Sequence, residues 1–192
     1  MYRTIVGYTG GEKLNPTYHD LGDHTESIEI HYNPAEISFE QLLQIYWSDI
    51  DPHYSTSSIQ YRNVIWANSP EQRQAAEASA AALENASGQP VATKILDGVT
   101  FYPAEDYHQK YGLRQNRALM AVFDSWYPDG TDFRNSFTAM RMNAYVQGHG
   151  SAELVQSELE GYALPPDVAD MLQAQSSMLR DDAGAACMVP GA

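Results

Sequence analysis

Glu26 is the first residue of this sequence whose setting could do chemistry. In Thr25-Glu26-Ser27-Ile28-Glu29-Ile30-His31-Tyr32, the two-residue period of a strand puts Glu26 on the face that carries Ile28, Ile30 and Tyr32. Desolvation at the mouth of an apolar face disfavours a charged carboxyl, and a carboxyl kept protonated can serve as a general acid or hydrogen-bond donor. The plainer alternative is a strand-end glutamate that faces water. The loop before this strand, His19-Asp20-Leu21-Gly22-Asp23-His24-Thr25-Glu26, gathers imidazoles and carboxylates of the kind that ligate a divalent metal. Solvation and turn formation account for the same polarity. Glu105-Asp106-Tyr107-His108 is a second polar cluster, at the end of an expected strand, and reads as a cap for the turn that follows. The single cysteine, Cys187, sits among Ala185, Ala186 and Met188 with no base or cation to activate it, so an inert tail thiol is the simpler reading.

The elements that must position these groups follow from the pattern. Tyr2-Arg3-Thr4-Ile5-Val6-Gly7-Tyr8 is β-branched and aromatic and runs into the turn Thr9-Gly10-Gly11, a strand and its stop. Residues 25–32 form the next strand, ended by Asn33-Pro34. Ser38 then precedes Phe39, Leu42, Leu43, Tyr46 and Trp47, a helical stripe, and Gln41 completes a capping box. Tyr61 to Ala67 reads as a strand, and Ser69-Pro70-Glu71-Gln72 opens an alanine-rich helix that runs to Glu84. Val91 to Leu96 is a further strand, and Val99 to Tyr102 continues the sheet after a turn at Asp97-Gly98. Beyond residue 112 the spacing is helical: Leu119, Val122, Phe123 and Trp126, then Phe137, Met140 and Ala144, then Val168, Met171, Leu172 and Gln175 with Met178 and Leu179 close behind. These stripes read as packing faces.

The chain has 192 residues, enough to bury a substantial core. A formal charge of -14 opposes any phosphate backbone, which excludes a nucleic-acid binder. No apolar run reaches the roughly 20 residues of a membrane span, and Met1 to Gly11 show neither a basic start nor an apolar signal core. One cysteine rules out an internal disulfide framework, so a reducing compartment such as the cytosol is the default.

Several segments carry a family resemblance. Gly7-Tyr8-Thr9-Gly10-Gly11, Asn15-Pro16-Thr17-Tyr18, His24-Thr25-Glu26, Pro34 to Trp47, Gln60-Tyr61-Arg62 and the run from Phe101 to Tyr111 occur in the order of the A-type peptide-methionine (S)-S-oxide reductases. The sequence resembles that family over residues 2–111. The resemblance implies an α+β fold with helices packed on a mixed sheet. It also implies reduction of methionine S-sulfoxide, protein-bound or free, by a cysteine thiolate that attacks the sulfur. By that resemblance Glu26 matches the glutamate that protonates the departing oxygen, and Tyr18 and Tyr61 match the tyrosines that hydrogen-bond it. Thiols or thioredoxin would supply electrons, and no metal, flavin or nicotinamide cofactor is implied.

The family's nucleophile lies in a Gly-Cys-Phe-Trp-Gly turn that has no match here. Met1-Tyr2-Arg3-Thr4 resembles the second strand of the family's fold, so the expectation is an N-terminally truncated chain with little reductase turnover of its own. A sheet deprived of an internal strand would expose an apolar edge. No aspartate stands where the family has one before the Gln-Tyr-Arg segment, and Cys187 corresponds at most to a resolving thiol. The expected organisation is a reductase-like core over residues 1–115, a helical extension over 116–180 and a flexible tail over 181–192. Two alternatives remain from the residues: a non-catalytic binder of oxidised methionine, and a metal-binding protein using the His19 to Glu26 cluster.

Overall fold

A computed structural model describes residues 1–162 and 164–176. Met178, Leu179, the tail 181–192 and Cys187 lie outside the described residues. The chain divides into two compact units. The first comprises Met1 and Val6–Glu105, and the second comprises Tyr2–Ile5 with the chain from Asp106 onward.

β1 (Arg3–Thr9) is the middle strand of a sheet ordered β2-β1-β5, flanked by β2 (Thr25–His31) and β5 (Phe101–Pro103). β1 and β5 run antiparallel with Gly7 opposite Pro103 and Tyr8 opposite Tyr102. A Cβ on Gly7 would stand 2.3 Å from the carbonyl oxygen of Tyr102, so this crossing requires glycine. A separate pair, β3 (Val64–Ala67) and β4 (Lys94–Asp97), is parallel and is connected through α2 (Pro70–Ser87), as parallel strands require. The mixture of parallel and antiparallel pairing with helices makes the fold α+β.

Capping chemistry sets the helix boundaries. The Ser38 side chain accepts from the Gln41 N–H at 3.3 Å and the Gln41 side chain accepts from the Ser38 N–H at 2.8 Å, a complete capping box for α1 (Phe39–Asp49). Ser69 caps α2 in the same way, but the Gln72 side chain reaches past it to the Asn68 N–H at 2.8 Å. α2 continues to Ser87, where Gly88 ends it in the left-handed region at φ 69°. Leu43, Ile65 and Ala76 form the core between α1, α2 and β3, with Phe39, Tyr46, Trp47 and Ile95 packed around them. A smaller core gathers Tyr8, Leu21 and Ala104.

Strand boundaries and pairing differ from the sequence reading: β4 starts at Lys94 rather than Val91 and β5 at Phe101 rather than Val99. β3 starts at Val64 rather than Tyr61, because residues 60–61 form a turn whose Gln60 carbonyl accepts from the Glu26 N–H at 3.0 Å. The Asp97-Gly98 turn does not close a hairpin. The Gly98 N–H donates to the Ala67 carbonyl at 2.7 Å, keeping β4 with β3 while β5 pairs with β1.

The second unit is helical. After a 3-10 turn at Asp106–His108 it contains α3 (Tyr111–Arg114), α4 (Arg117–Trp126), α5 (Gly130–Asn135), α6 (Phe137–Val146), α7 (Ala152–Leu159) and α8 (Pro166–Ser176). Asn116, Asp129, Ser136 and Ser151 cap α4 to α7 through side-chain oxygens. Their core joins Leu113, Leu119, Phe123, Phe133, Met142, Tyr145, Val155, Val168 and Leu172. Phe137, which the sequence stripe placed on the packing face of α6, is instead 44% exposed, and Ala139, Met140, Met142 and Tyr145 face inward. Glu158 binds this unit through polar contacts, accepting from Tyr145 at 2.5 Å, Tyr162 at 2.9 Å and Arg141 at 2.8 Å.

Lys110 is a buried cation in this unit, 5% exposed, whose Nζ donates to the carbonyls of Thr4 and Arg134, each at 2.6 Å. Burial first, then the charges of Arg134, Arg114 and Arg3, push its pKa down to about 8. Between that value and the ordinary lysine range, the unfolded chain holds a proton that the folded chain has released, so folding becomes more favourable as pH rises. Relative to Lys110→Met, the wild type should gain on the order of 2 kcal/mol of stability between pH 8 and pH 10 in urea unfolding. A stability difference that stays flat across this interval would contradict the assignment.

Candidate active site

Loop geometry places the candidate residues before any chemistry does. The residues from Gly10 to Asp20 leave β1 through Gly10, whose φ of 87° suits glycine, and return to β2 through His24. His24 is 0% exposed. Its Nδ1 accepts from the Gly11 N–H at 3.2 Å and its Nε2 donates to the Lys13 carbonyl at 2.7 Å, while its ring meets Tyr102 edge-on. Asp23 accepts from the N–H groups of Glu12 at 2.9 Å and Lys13 at 3.3 Å, contacts that hold its carboxyl below the usual range. Asp20 pairs with Lys13 Nζ at 2.6 Å.

These bonds correct the metal-binding alternative for the His19 to Glu26 cluster. Both ring nitrogens of His24 and the Asp23 carboxylate are spent on holding their own loop. Among the described residues, no group of three or more His, Cys, Asp or Glu side chains is arranged to hold a metal ion.

Tyr18, Glu26 and Tyr61 come together from distant parts of the first unit. The neighbouring Tyr18 phenol, with some desolvation and the nearby Glu26 charge, holds the Tyr61 phenol above its ordinary pKa, against an opposing contact from Gln60. Gln60 Nε2 donates to Glu26 Oε1 at 2.7 Å. Strand β2 is fastened beside it by the Arg62 Nε–H to Thr25 Oγ1 bond at 2.9 Å and the Trp66 Nε1–H to Ser27 Oγ bond at 3.1 Å. A carboxyl, two phenols and a carboxamide thus converge on one spot, a set suited to hydrogen-bonding a polar oxygen and passing it a proton.

The burial expected for Glu26 is not found. The face that strand parity assigns to Glu26 carries Ile28 and Ile30, and all three line a cavity of about 370 Å³ with Phe39, Leu42 and Tyr46, which Thr25, Ser27 and Glu29 of the opposite parity line as well. That face is open, however: Glu26 is exposed and Ile28 is 57% exposed, while Thr25 on the opposite face is 1% exposed. β2 is an edge strand of its sheet. Tyr18 and Tyr61 are also accessible, at 36% and 56%.

Sequence reasoning placed neither Gln60 nor Glu105 at the site. Gln60 lay within the quoted Gln60-Tyr61-Arg62 segment but carried no separate signal. Glu105 read as a turn cap, yet its carboxylate accepts from the Tyr8 hydroxyl at 2.7 Å and the Tyr18 N–H at 3.0 Å. Only the three-dimensional fold joins positions so far apart in the chain. Cys187 lies outside the described residues.

The sequence and the fold have counterparts among known proteins. The family model for peptide methionine sulfoxide reductase matches residues 1–136. The chain belongs to the peptide methionine sulfoxide reductase family. It is 37% identical over 166 residues to a peptide methionine sulfoxide reductase of Drosophila melanogaster, covering 85% of this chain and 66% of that protein. It is 45% identical over 140 residues to a peptide methionine sulfoxide reductase MsrA of Leuconostoc mesenteroides, covering 62% and 81%. The crystal structure of reduced Mxr1 from Saccharomyces cerevisiae superposes with a TM-score of 0.54 at 28% identity, covering 59% of this chain and 70% of that one.

Proposed function

We propose that this protein acts on methionine S-sulfoxide, protein-bound or free, with Tyr18 and Tyr61 hydrogen-bonding the sulfoxide oxygen and Glu26 delivering the proton that oxygen needs to leave. The observation that carries the reading is that the Tyr18 and Tyr61 phenols neighbour each other beside the Glu26 carboxyl, which Gln60 holds by a 2.7 Å hydrogen bond. In the reaction, a thiolate sulfur bonds to the sulfoxide sulfur; the S–O bond and this transient S–S bond then both break as the oxygen, with the delivered proton, passes to the attacking sulfur, giving a thioether and a sulfenic acid. A second thiol then forms a disulfide and releases water. Small thiols or thioredoxin are the proposed electron source, and a reducing compartment such as the cytosol suits such chemistry. Among the described residues no helix is long and apolar enough to cross a membrane.

The sequence's single cysteine is Cys187, and this favours a second reading, a binder that recognises oxidised methionine without turning it over. Both readings require the sulfoxide to bind at Tyr18, Tyr61 and Glu26. In a calorimetric titration of the 192-residue chain with a blocked methionine S-sulfoxide, Tyr18→Phe and Glu26→Ala should each weaken binding by about tenfold, the loss of one hydrogen bond to a desolvated partner. Reduction of the S epimer by this chain that survives Cys187→Ser would remove the binder reading. Reduction abolished by Cys187→Ser would give that thiol a place in the reaction.

A further inference from the structure

Tyr18 sits in a loop at the surface, and the outer part of that loop is fastened from far along the chain. At its near end, His24 and Asp23 tie down Gly11, Glu12 and Lys13. At its far end the Thr17 and Asp20 backbones bridge to each other, which shapes the turn without attaching it to the sheet. Glu105, directly after β5, attaches it. Its Oε1 accepts from the Tyr18 N–H at 3.0 Å and its Oε2 accepts from the Tyr8 hydroxyl at 2.7 Å. Tyr8 is 2% exposed in the middle strand of the sheet, so its hydroxyl is a fixed point. Ala104, beside Glu105, is anchored to the same strand through the Val6 carbonyl at 3.0 Å.

We infer that Glu105 is a positioning residue for sulfoxide recognition, a carboxylate bracket between the buried Tyr8 hydroxyl and the Tyr18 backbone that fixes where the Tyr18 phenol meets the substrate oxygen. The inference rests on the sulfoxide reading above. A sulfoxide sulfur is a stereocentre, and its epimers place the oxygen in different directions from the same methyl and side-chain groups. A phenol held in one place selects between them, whereas a phenol on a loose loop follows either. The bracket therefore bears on S-over-R selectivity as well as on affinity. Its carboxylate bonds need acceptors rather than charge: a glutamine keeps one carbonyl oxygen for the Tyr18 N–H and presents an amide to the Tyr8 oxygen, which is both donor and acceptor.

The test titrates the full chain with blocked methionine S-sulfoxide and R-sulfoxide. Glu105→Ala should weaken S-epimer binding by about fivefold and bring the S/R affinity ratio toward one, while Glu105→Gln stays within about twofold of wild type. In a Tyr18→Phe background, Glu105→Ala should cost less than about twofold more, because the group it positions has gone. Tyr8→Phe keeps the buried ring and removes only the anchor hydroxyl, and should lower the S/R ratio in the same direction if Glu105→Ala proves unstable. Unchanged selectivity in Glu105→Ala and Tyr8→Phe, with Tyr18→Phe still weakening binding, overturns the bracket and leaves the sulfoxide reading intact. Full additivity of Glu105→Ala and Tyr18→Phe also overturns it. Binding indifferent to Tyr18→Phe overturns both.

Discussion

Replacing His24 with alanine is expected to lower the unfolding free energy by about 2–4 kcal/mol, read as a fall in the urea midpoint at unchanged slope. The side chain is 0% exposed and uses both nitrogens, so its loss strands the Gly11 N–H and the Lys13 carbonyl and leaves a void against Tyr102. An asparagine places one donor and one acceptor on a shorter stem and should recover only part of the loss. A His24→Ala protein within about 0.5 kcal/mol of wild type would show that the loop is held by other contacts. The same residue decides the metal alternative. Purified protein that keeps a divalent metal through dialysis and loses it in His24→Ala would reverse the assignment of both nitrogens to backbone partners.

The larger effect is expected at Phe123. Its side chain is fully buried in α4, with the rings of Trp126, Tyr127 and Phe133 at centroid distances of 5.3, 6.0 and 6.1 Å. Phe123→Ala removes the hub of that aromatic group and should cost about 3–5 kcal/mol, enough to unfold much of a helical unit of ordinary stability. The chain forms two compact units, so the experiment has a second readout. Partial loss of far-UV helical signal at low urea, with the first unit still protected in hydrogen exchange, is the outcome expected if the units unfold separately. A loss of less than about 1 kcal/mol would mean that the site collapses around the truncated side chain.

Local signals were legible where one segment decides its own structure. The capping box at Ser38 and Gln41, the Pro70 helix start and the apolar spacing of Leu119 and Phe123 each appear in the structure because the partners lie within a turn or two. Pairing between distant strands was less legible. Nothing near Asp97-Gly98 says that β5 leaves β4 and joins β1, since that choice depends on β1, nearly the whole first unit away. The site divides in the same way. Strand parity put Glu26 in line with Ile28 and Ile30, and the resemblance supplied Tyr18 and Tyr61. The openness of that face, the Gln60 contact and the Glu105 bracket depend on long-range packing that a linear reading does not contain.

The account stands on the claim that Tyr18, Tyr61 and Glu26 form one binding site for a sulfoxide oxygen. The direct measurement is a titration of the chain with blocked methionine S-sulfoxide and with the corresponding methionine thioether, followed by NMR of tyrosine rings selectively labelled at Tyr18 and Tyr61. The account predicts that both rings shift with one saturation curve for the sulfoxide, barely respond to the thioether, and need about tenfold more sulfoxide for the same response in Glu26→Ala. Sulfoxide and thioether producing equal shifts, or no shift at either tyrosine at saturating sulfoxide, would contradict it.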